Sequence, residues 1–464
     1  MITRSALCLL ALSASASAFA PTAHNSKVAT AAAVSSSVSA PSSAAALSSS
    51  SLSMNFFFGE TTDKKPTSSS SNNSNEPGES CTGEKIAIVG STGYIGKAVV
   101  RESVRRGYPT TAIMRDIAKG QSEPKFEGAT LQEFDVQDRE KCFAGELFPK
   151  GSVDAVVCCL ASRTGTKKDS YAIDYQASLN CAEAAKAAGA RRFILLSAYC
   201  VKSAERGDPY ALQFQYAKKE LEEKLAEMSD DSFDYVSVRP TAFFKSVSGQ
   251  VEVVDGGGPF VYFDLGNDRN AICNPISEPD LAAALIDQVA DDAHKNTYWN
   301  LGGPDEGLSM KQQGALIHEV LKKDGEPKYI SVPIGLFDVI INGLQWIGDT
   351  FNSEKFDDAA ELGKIPTLHV NTLVPSFGSF IPHACAPTFF FCCFLLKPLP
   401  GRIGRYYAIE NMLTEDPDEK YGRTTLREHY AFVAENGQDY DPYTSVFGNK
   451  DKKEEFAKAK KIKA

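Results

Sequence analysis

The sequence predicts an α/β protein built on a doubly wound parallel sheet, with a smaller C-terminal region. Short apolar runs rich in β-branched residues alternate with segments of helical periodicity. A glycine-rich turn directly follows the first of these runs, at residues 90–96. Of the 464 residues, 1–84 and 365–402 do not read as folded core, and the remainder suffices for one large domain.

The predicted elements follow in order along the chain. The strands are Lys85–Val89, Thr110–Met114, Leu131–Phe134, Val153–Leu160, Arg192–Ala198 and Tyr235–Pro240. Each is short and mostly apolar, as buried parallel strands are. Helices are predicted at Lys97–Arg106 and Asp174–Ala188, and right-handed crossovers arrange the strands in one sheet.

The composition argues against several classes of protein. The chain has 49 Lys and Arg against 59 Asp and Glu, and this net charge of -10 argues against a nucleic-acid binder. The six histidines show no metal-ligand spacing, so no metal site is predicted. Cys158, Cys159 and Cys200 lie in apolar runs and read as buried, reduced thiols, so a reducing compartment is expected.

The N-terminal residues are predicted to be a targeting sequence rather than a folded region. Residues 1–20 have a short charged start and an apolar run, as signal peptides do. Residues 21–84 are rich in Ser and Ala and read as a transit peptide and disordered linker. The junction Ala16–Pro21 resembles that of plastid leaders in algae with complex plastids, which places the protein in the stroma or on the thylakoid. An ordinary secretory signal is the alternative.

The turn Gly90-Ser-Thr-Gly93-Tyr-Ile-Gly96 stands between a predicted strand and a predicted helix. Gly90 permits a tight turn, Gly93 lets the backbone approach a pyrophosphate, and Gly96 allows close packing of helix on strand. Amide groups at the helix N-terminus then face the phosphates. We therefore predict an NAD(P)-binding Rossmann domain over residues 85–300, with an ordinary βα turn as the alternative.

The ends of the next strands indicate how the cofactor is held. Arg115 follows the second strand and suits a 2′-phosphate, which favours NADPH. Asp116 keeps NADH as the alternative, because an acidic residue there can hold the ribose hydroxyl. Asp135 is expected near the adenine, and Ala161 and Ser162 over the pyrophosphate and ribose.

The helix after the fifth strand departs from the usual short-chain dehydrogenase pattern, Tyr-x-x-x-Lys. Lys218 occupies the lysine position, but Phe214 stands where the tyrosine is expected. Tyr216 points to another face of the helix, and Tyr210 lies in a loop. The missing acid favours reduction of a double bond conjugated with a large ring, which spreads the developing charge. Lys218 remains the catalytic candidate, with a solvated helix charge as the alternative.

Longer segments resemble one family. They include Cys159–Gly165 (CLASRTG), Leu195–Val201 (LLSAYCV), Val238–Ser246 (VRPTAFFKS), Asn274–Ala283 (NPISEPDLAA) and Ile403–Leu413 (IGRYYAIENML). With the glycine turn they resemble the divinyl chlorophyllide 8-vinyl reductases of plants and algae, which are atypical, isoflavone-reductase-like short-chain reductases. The resemblance covers about 85–364 and 403–426. It implies NADPH-dependent reduction of the C8 vinyl group of a chlorophyll precursor to ethyl, in the plastid.

The resemblance also implies roles for individual residues. Those expected to bind the pyrophosphate are Gly90, Ser91, Thr92, Gly93, Tyr94, Ile95 and Gly96. Arg115 would bind the 2′-phosphate, Lys218 the nicotinamide ribose, and Pro240 would lie against the nicotinamide. The expected substrate-binding residues are Phe243, Phe244, Lys245, Arg405 and Tyr406. The aromatic rings suit stacking on a flat macrocycle, and Lys245 or Arg405 could meet its carboxylate. Ordinary core packing of these aromatic residues is the alternative.

The C-terminal part departs from the family pattern at residues 365–402. This proline-rich insert interrupts the predicted substrate-binding region, 301–449, and we hypothesise a retained intron. A membrane-dipping loop and an active-site lid are the alternatives. The charged tail, 450–464, reads as a solvated helix end, with peripheral contact to a plastid membrane as the alternative.

Two other functions stay open from the sequence. One is an atypical reductase of a small plastid metabolite. The other is a non-catalytic NADPH-sensing or assembly protein on the same fold, which would be consistent with the missing tyrosine.

Overall fold

Seven parallel strands form the main sheet of the computed structural model, which describes residues 83–208, 211–266, 269–335, 338, 341–342, 406 and 408–438. These strands are β1 (Ile86–Val89), β2 (Thr110–Met114), β3 (Thr130–Glu133), β4 (Ala155–Cys158), β5 (Arg192–Leu196), β6 (Asp234–Pro240) and β9 (Thr297–Leu301). Their order is β3-β2-β1-β4-β5-β6-β9, and every neighbouring pair is parallel. The order reverses between β1 and β4, where such sheets open the crevice that binds a dinucleotide.

Helices connect these strands. They are α1 (Tyr94–Arg105), α2 (Ile117–Gln121), α3 (Arg139–Phe143), α4 (Lys167–Ser170), α5 (Ser178–Ala188), α6 (Val201–Arg206), α7 (Gln213–Met228) and α10 (Glu278–Asp287). Short 3₁₀ turns lie at Pro124–Phe126 and Pro417–Glu419, and a π-helical turn at Tyr171–Ala177 runs directly into α5.

The core lies on both faces of the sheet. Side chains of a strand alternate between faces, so Ile86 and Ile88 pack in one apolar cluster with α1 and α10. Ala87 and Val89 pack in the other cluster with α5 and α7. Burial on both faces explains why the strands of this sheet read as continuous apolar runs.

A smaller group of elements packs beside the sheet. It contains β7 (Phe260–Asp264), β8 (Ile272–Cys273), β10 (Leu308–Ser309), β11 (Tyr329–Pro333), α8 (Phe244–Val247), α9 (Val251–Asp255), α11 (Met310–Val320) and α12 (Leu426–Asn436). β7 pairs in parallel with β11, and β8 pairs antiparallel with β10. These pairings join residues on both sides of residue 300.

Residues 408–438, which we call the C-terminal segment, pack against both groups. The Asn274 side chain exchanges hydrogen bonds with Thr414, donating from Nδ2 to Oγ1 at 2.9 Å and accepting from the Thr414 amide at 3.1 Å. Gly302 donates its amide to the Glu419 carbonyl at 2.7 Å and accepts from the Tyr421 amide at 3.0 Å. The C-terminal segment therefore covers the end of β9, the edge strand of the main sheet.

The doubly wound parallel sheet is confirmed, and β2 has the predicted bounds. β9 was not predicted, because Thr297, Tyr298 and Asn300 interrupt the apolar pattern of its five residues. The predicted regular helix from Asp174 is wrong at its start, since Tyr171–Ala177 is π-helical and the α-helix begins at Ser178. The predicted leader, insert and tail, as well as Tyr210 and Arg405, lie outside the described residues.

Candidate cofactor and substrate site

The glycine turn lies at the carboxyl end of β1, beside the end of β4. Gly90 has a φ of +74°, and a Cβ there would lie 2.7 Å from the carbonyl carbon of Cys159. A Cβ on Gly96 would lie 2.2 Å from the Gly90 carbonyl oxygen. Side chains at either position would collide with backbone, so glycine is required for the turn and for the close approach of α1.

The N-terminus of α1 is open to a ligand. Gly93 is its N-cap and makes no side-chain capping hydrogen bond, while Lys97 makes the first intrahelical bond to the Gly93 carbonyl at 3.1 Å. The first-turn amides therefore lack the side-chain acceptor that often satisfies them, and they carry the positive end of the helix dipole. A pyrophosphate fits this arrangement of glycine backbone and helix terminus.

The other residues of the turn have different surroundings. Ser91 is buried and donates its hydroxyl to the Ile113 carbonyl at 2.7 Å, so its side chain joins β1 to β2. Ile95 is buried in the core. Only backbone atoms of these two residues are placed to meet a phosphate.

Arg115 and Asp135 lie at the ends of β2 and β3, and both are exposed. Arg115 makes no ion pair with any residue that the structure describes. Asp135 accepts a hydrogen bond from the Gln137 amide at 3.1 Å. Both residues thus lie at the same sheet edge as the glycine turn, where the carboxyl ends of parallel strands meet.

Lys218 is buried beneath this edge. It lies on α7 with 5% exposure, and its Nζ donates to the Leu196 carbonyl at 3.2 Å, at the end of β5. Nζ also lies 3.3 Å from Oδ1 of Asp174, a residue of the π-helical turn with 1% exposure. Oδ2 of Asp174 accepts from the Ser162 amide at 3.2 Å. Asp174 therefore contacts both Lys218 and Ser162, which are predicted cofactor-binding residues. Asp174 itself was not predicted as a site residue from the sequence.

The position of the usual acid contains no hydroxyl group. Phe214 packs, partly buried, on a small core of Cys200, Leu212 and Tyr406. Ser197, directly after β5, is 4% exposed, and its hydroxyl has no hydrogen-bond partner in the described part of the chain. Burial raises the pKa of the Cys200 thiol to about 12, so this cysteine is no nucleophile at neutral pH.

A second cluster joins the cofactor turn to the chain after β6. The ring centroids of Tyr94 and Phe243 are 6.4 Å apart, and Nζ of Lys245 lies 4.8 Å from the Tyr94 centroid. This distance is typical of a cation–π contact. The buried end of β6, Pro240, is anchored nearby, because its carbonyl accepts from the Tyr199 amide at 2.9 Å. Phe243 and Lys245 therefore lie beside the glycine turn.

Two predicted substrate-binding residues are core residues instead. Phe244 is 1% exposed and packs with Val251, Phe260 and Tyr430. Tyr406 is 3% exposed, and its hydroxyl lies 2.9 Å from Oγ of Ser203. Neither ring has an exposed face in the structure, which is the arrangement that the core-packing alternative describes.

The described residues contain no group of three or more His, Cys, Asp or Glu side chains arranged to hold a metal ion. In the same residues, no helix is both long and apolar enough to cross a membrane.

Ala161 is exposed at the end of β4, next to Ser162. The glycine turn and the ends of β2, β3 and β4 thus form one sheet edge that can hold a dinucleotide.

Comparison with known proteins finds a matching domain family and similar proteins. The profile of the NAD(P)H-binding family matches residues 90–292. The chain is 38% identical to the chloroplastic divinyl chlorophyllide a 8-vinyl-reductase of Zea mays over 370 residues, covering 76% of this chain and 80% of that protein. It is 37% identical to the protein of the same name from Arabidopsis thaliana over 374 residues, covering 76% and 77%.

A solved structure also aligns with the chain. The UDP-glucose 4-epimerase of Thermotoga maritima is 19% identical, with a TM-score of 0.43, and the alignment covers 53% of this chain and 85% of that one.

Proposed function

The chain belongs to the divinyl chlorophyllide a 8-vinyl-reductase family, and from this premise we propose that it reduces the 8-vinyl group of a divinyl chlorophyll precursor to ethyl. The observation that carries the proposal is the identity of 37–38% with reductases of that name over 76% of the chain. NADPH would supply the hydride. One C=C π bond breaks, two C–H bonds form, and a proton completes the ethyl group.

NADPH rather than NADH is proposed because of Arg115. It is exposed, follows β2 directly, and makes no ion pair with the described residues. A guanidinium in this place can bind a 2′-phosphate with two parallel hydrogen bonds. The neighbouring Asp116 has interactions of its own within the protein.

The pigment pocket is proposed around Phe243 and Lys245. Both lie beside Tyr94 of the glycine turn, which supports a position near the nicotinamide end of the proposed cofactor site. An aromatic face suits a flat macrocycle, and an ammonium suits the carboxylate of a chlorophyllide. Arg405 stays part of this proposal from the sequence alone.

The absence of a tyrosine at position 214 is compatible with this chemistry. A ketone reduction concentrates negative charge on one oxygen, which needs an adjacent acid. Hydride addition to a vinyl group conjugated with a macrocycle spreads the charge over the ring, so water can deliver the proton. Lys218 then positions the cofactor rather than acidifying a tyrosine.

We place this reaction in the plastid, in the stroma or on the thylakoid surface. The relatives of this chain are named chloroplastic, and residues 1–84 read as a plastid leader. The charged tail, 450–464, is the proposed point of peripheral membrane contact.

The test is a pigment assay with the chain from Met54 onwards. The protein is incubated with 3,8-divinyl chlorophyllide and either NADPH or NADH, and the Soret band is recorded. A blue shift with NADPH is expected, because loss of the vinyl group shortens the conjugated system. A variant that lacks 365–402 is assayed in parallel, which tests whether the insert belongs to the working protein. NADPH binding with an unchanged spectrum in both forms would instead indicate a non-catalytic NADPH-binding protein.

A further inference from the structure

We infer that Asp174 is a positioning residue for the cofactor, which acts through Lys218. This inference rests on the proposed role of Lys218 in holding the nicotinamide ribose. It adds a residue to which neither the sequence nor the relatives' names assign a role.

The burial of the pair makes Asp174 necessary to Lys218. The two residues are 1% and 5% exposed, and an ammonium at this depth requires a counter-charge. Among the described residues, Asp174 is the carboxylate within ion-pair distance, at 3.3 Å. Without it, the Leu196 carbonyl would be the acceptor left to this buried ammonium among the residues that the structure describes.

The hydrogen-bonding capacity of Lys218 leaves room for a ligand. An ammonium has three N–H groups. The Leu196 carbonyl accepts one, and the Asp174 carboxylate faces another. Within the described part of the chain, the third N–H has no acceptor, and it is available to a ribose hydroxyl at the sheet edge above.

The Oδ2 atom of Asp174 connects the environment of Lys218 to the loop after β4. It accepts from the Ser162 amide at 3.2 Å, so one carboxylate sets the positions of Lys218 and of the loop predicted to cover the ribose. Asp174 lies in the π-helical turn Tyr171–Ala177. Single π-helical turns inside helices occur often at functional sites.

A neighbouring carboxylate provides a matched control. Asp169 accepts from the Arg163 and Thr164 amides at 2.9 Å each, so it also anchors the loop after β4. No ion pair joins Asp169 to Lys218 in the structure. Asp169→Asn therefore separates an effect on the loop from an effect that acts through the lysine.

The test is a double-mutant cycle on cofactor binding by the full chain. The dissociation constant for NADPH is measured by fluorescence for Asp174→Asn, Lys218→Met and the double variant. Each single change is expected to weaken binding about tenfold or more, since a hydrogen bond to a charged group is lost. The double variant should bind no more weakly than Lys218→Met, because Asp174 acts through the lysine and the amide oxygen that Asp174→Asn introduces can still accept from the Ser162 amide. Asp169→Asn should instead weaken NADPH binding by the same factor in the wild type and in Lys218→Met.

A second ligand excludes a general structural defect. Adenosine 2′,5′-bisphosphate lacks the nicotinamide ribose, so its affinity should be the same for Asp174→Asn and the wild type. Three results would each overturn the inference. The effects of the two single variants on NADPH affinity could multiply in the double variant, Asp174→Asn could bind NADPH as tightly as the wild type, or it could lose the same affinity for both ligands. If Asp174→Asn does not fold, Asp174→Glu replaces it in the cycle, since it keeps the charge but moves it by one methylene. Because no pigment is present, the result is independent of the vinyl-reductase proposal.

Discussion

At the scale of single residues, the cofactor site depends on space that glycine leaves empty. The Gly90 carbonyl lies where a Cβ on residue 96 would be, so the turn and helix α1 can approach only without a side chain there. Gly335 offers a contrast, because a Cβ on it would have no atom within 4 Å.

Gly96→Ala is therefore expected to weaken NADPH binding at least tenfold and to destabilise the fold by about 1–3 kcal/mol, since backbone atoms must move. Isothermal titration and thermal melting measure the two effects. Gly335→Ala is the control and should change neither quantity. Unchanged NADPH affinity of Gly96→Ala would contradict the proposed position of the pyrophosphate.

Arg115 determines the choice between cofactors in our proposal. Arg115→Gln is expected to raise the dissociation constant for NADPH about tenfold to a hundredfold, because charge-assisted hydrogen bonds to the 2′-phosphate are lost. The constant for NADH, which lacks this phosphate, should change less than twofold. Arg101→Gln makes the same substitution at an exposed position of α1 and serves as the control. An equal loss for both cofactors would show that Arg115 does not contact the 2′-phosphate.

At the scale of elements, helix α12 contains a histidine with an unusual environment. The ring of His429 lies 5.0 Å from that of Phe244, and its Nε2 has no hydrogen-bond partner in the described residues. Burial lowers the pKa of His429 to about 4. The unfolded chain binds a proton on this residue below about pH 6.5, whereas the folded protein does so only near pH 4.

Folding stability should consequently fall as the pH decreases from about 6.5 towards 4, because the unfolded state binds more protons in this range. Above pH 6.5 the effect is absent. We expect the loss of melting temperature between pH 7.5 and pH 5 to be smaller in His429→Gln than in the wild type. Between pH 7.5 and pH 8.5 the two curves should run parallel. Identical slopes over the acidic range would rule out His429 as a source of the pH dependence.

The sequence predicts elements well where local signals suffice. β2 and the glycine turn have the expected bounds, because their apolar and glycine patterns are set locally. β9 was missed because its residues are partly polar and its pairing with β6 is distant in the chain. The burial of Phe244 and Tyr406 could not be predicted from the local sequence, since it depends on the packing of α12 and α6. Asp174 had no pattern around it, and its role depends on the contact with Lys218, 44 positions further on.

At the scale of the whole molecule, the C-terminal segment belongs to the main fold although the insert separates it in sequence. It bonds to Asn274 and Gly302, and the Tyr421 hydroxyl donates to Asp287 of α10 at 2.5 Å. Trp299 of β9 donates from its indole to the Asp418 carbonyl at 3.0 Å. These contacts show that the C-terminal segment is part of the main fold, whereas the insert remains a hypothesis from the sequence.

Deleting 365–402 is therefore expected to keep one cooperative thermal transition and NADPH binding. A chain that ends at Lys364 should instead lose both, because Asn274, Trp299 and the amide of Gly302 would be left without their partners. Circular dichroism melting and NADPH titration compare the two with the full chain. A truncated chain that melts like the full one would show that the C-terminal segment does not stabilise the fold.

The cover over β9 also has a consequence for the order of synthesis. Trp299 and Asp418 are 119 positions apart, so the ribosome completes the edge strand long before it makes the residues that cover it. At about 5–20 residues per second, that interval lasts roughly 6–24 s. During this time the edge of β9 lacks the backbone and side-chain partners that the C-terminal segment later provides. The edge strand can therefore reach its final covered state only after the chain has been made as far as Asp418.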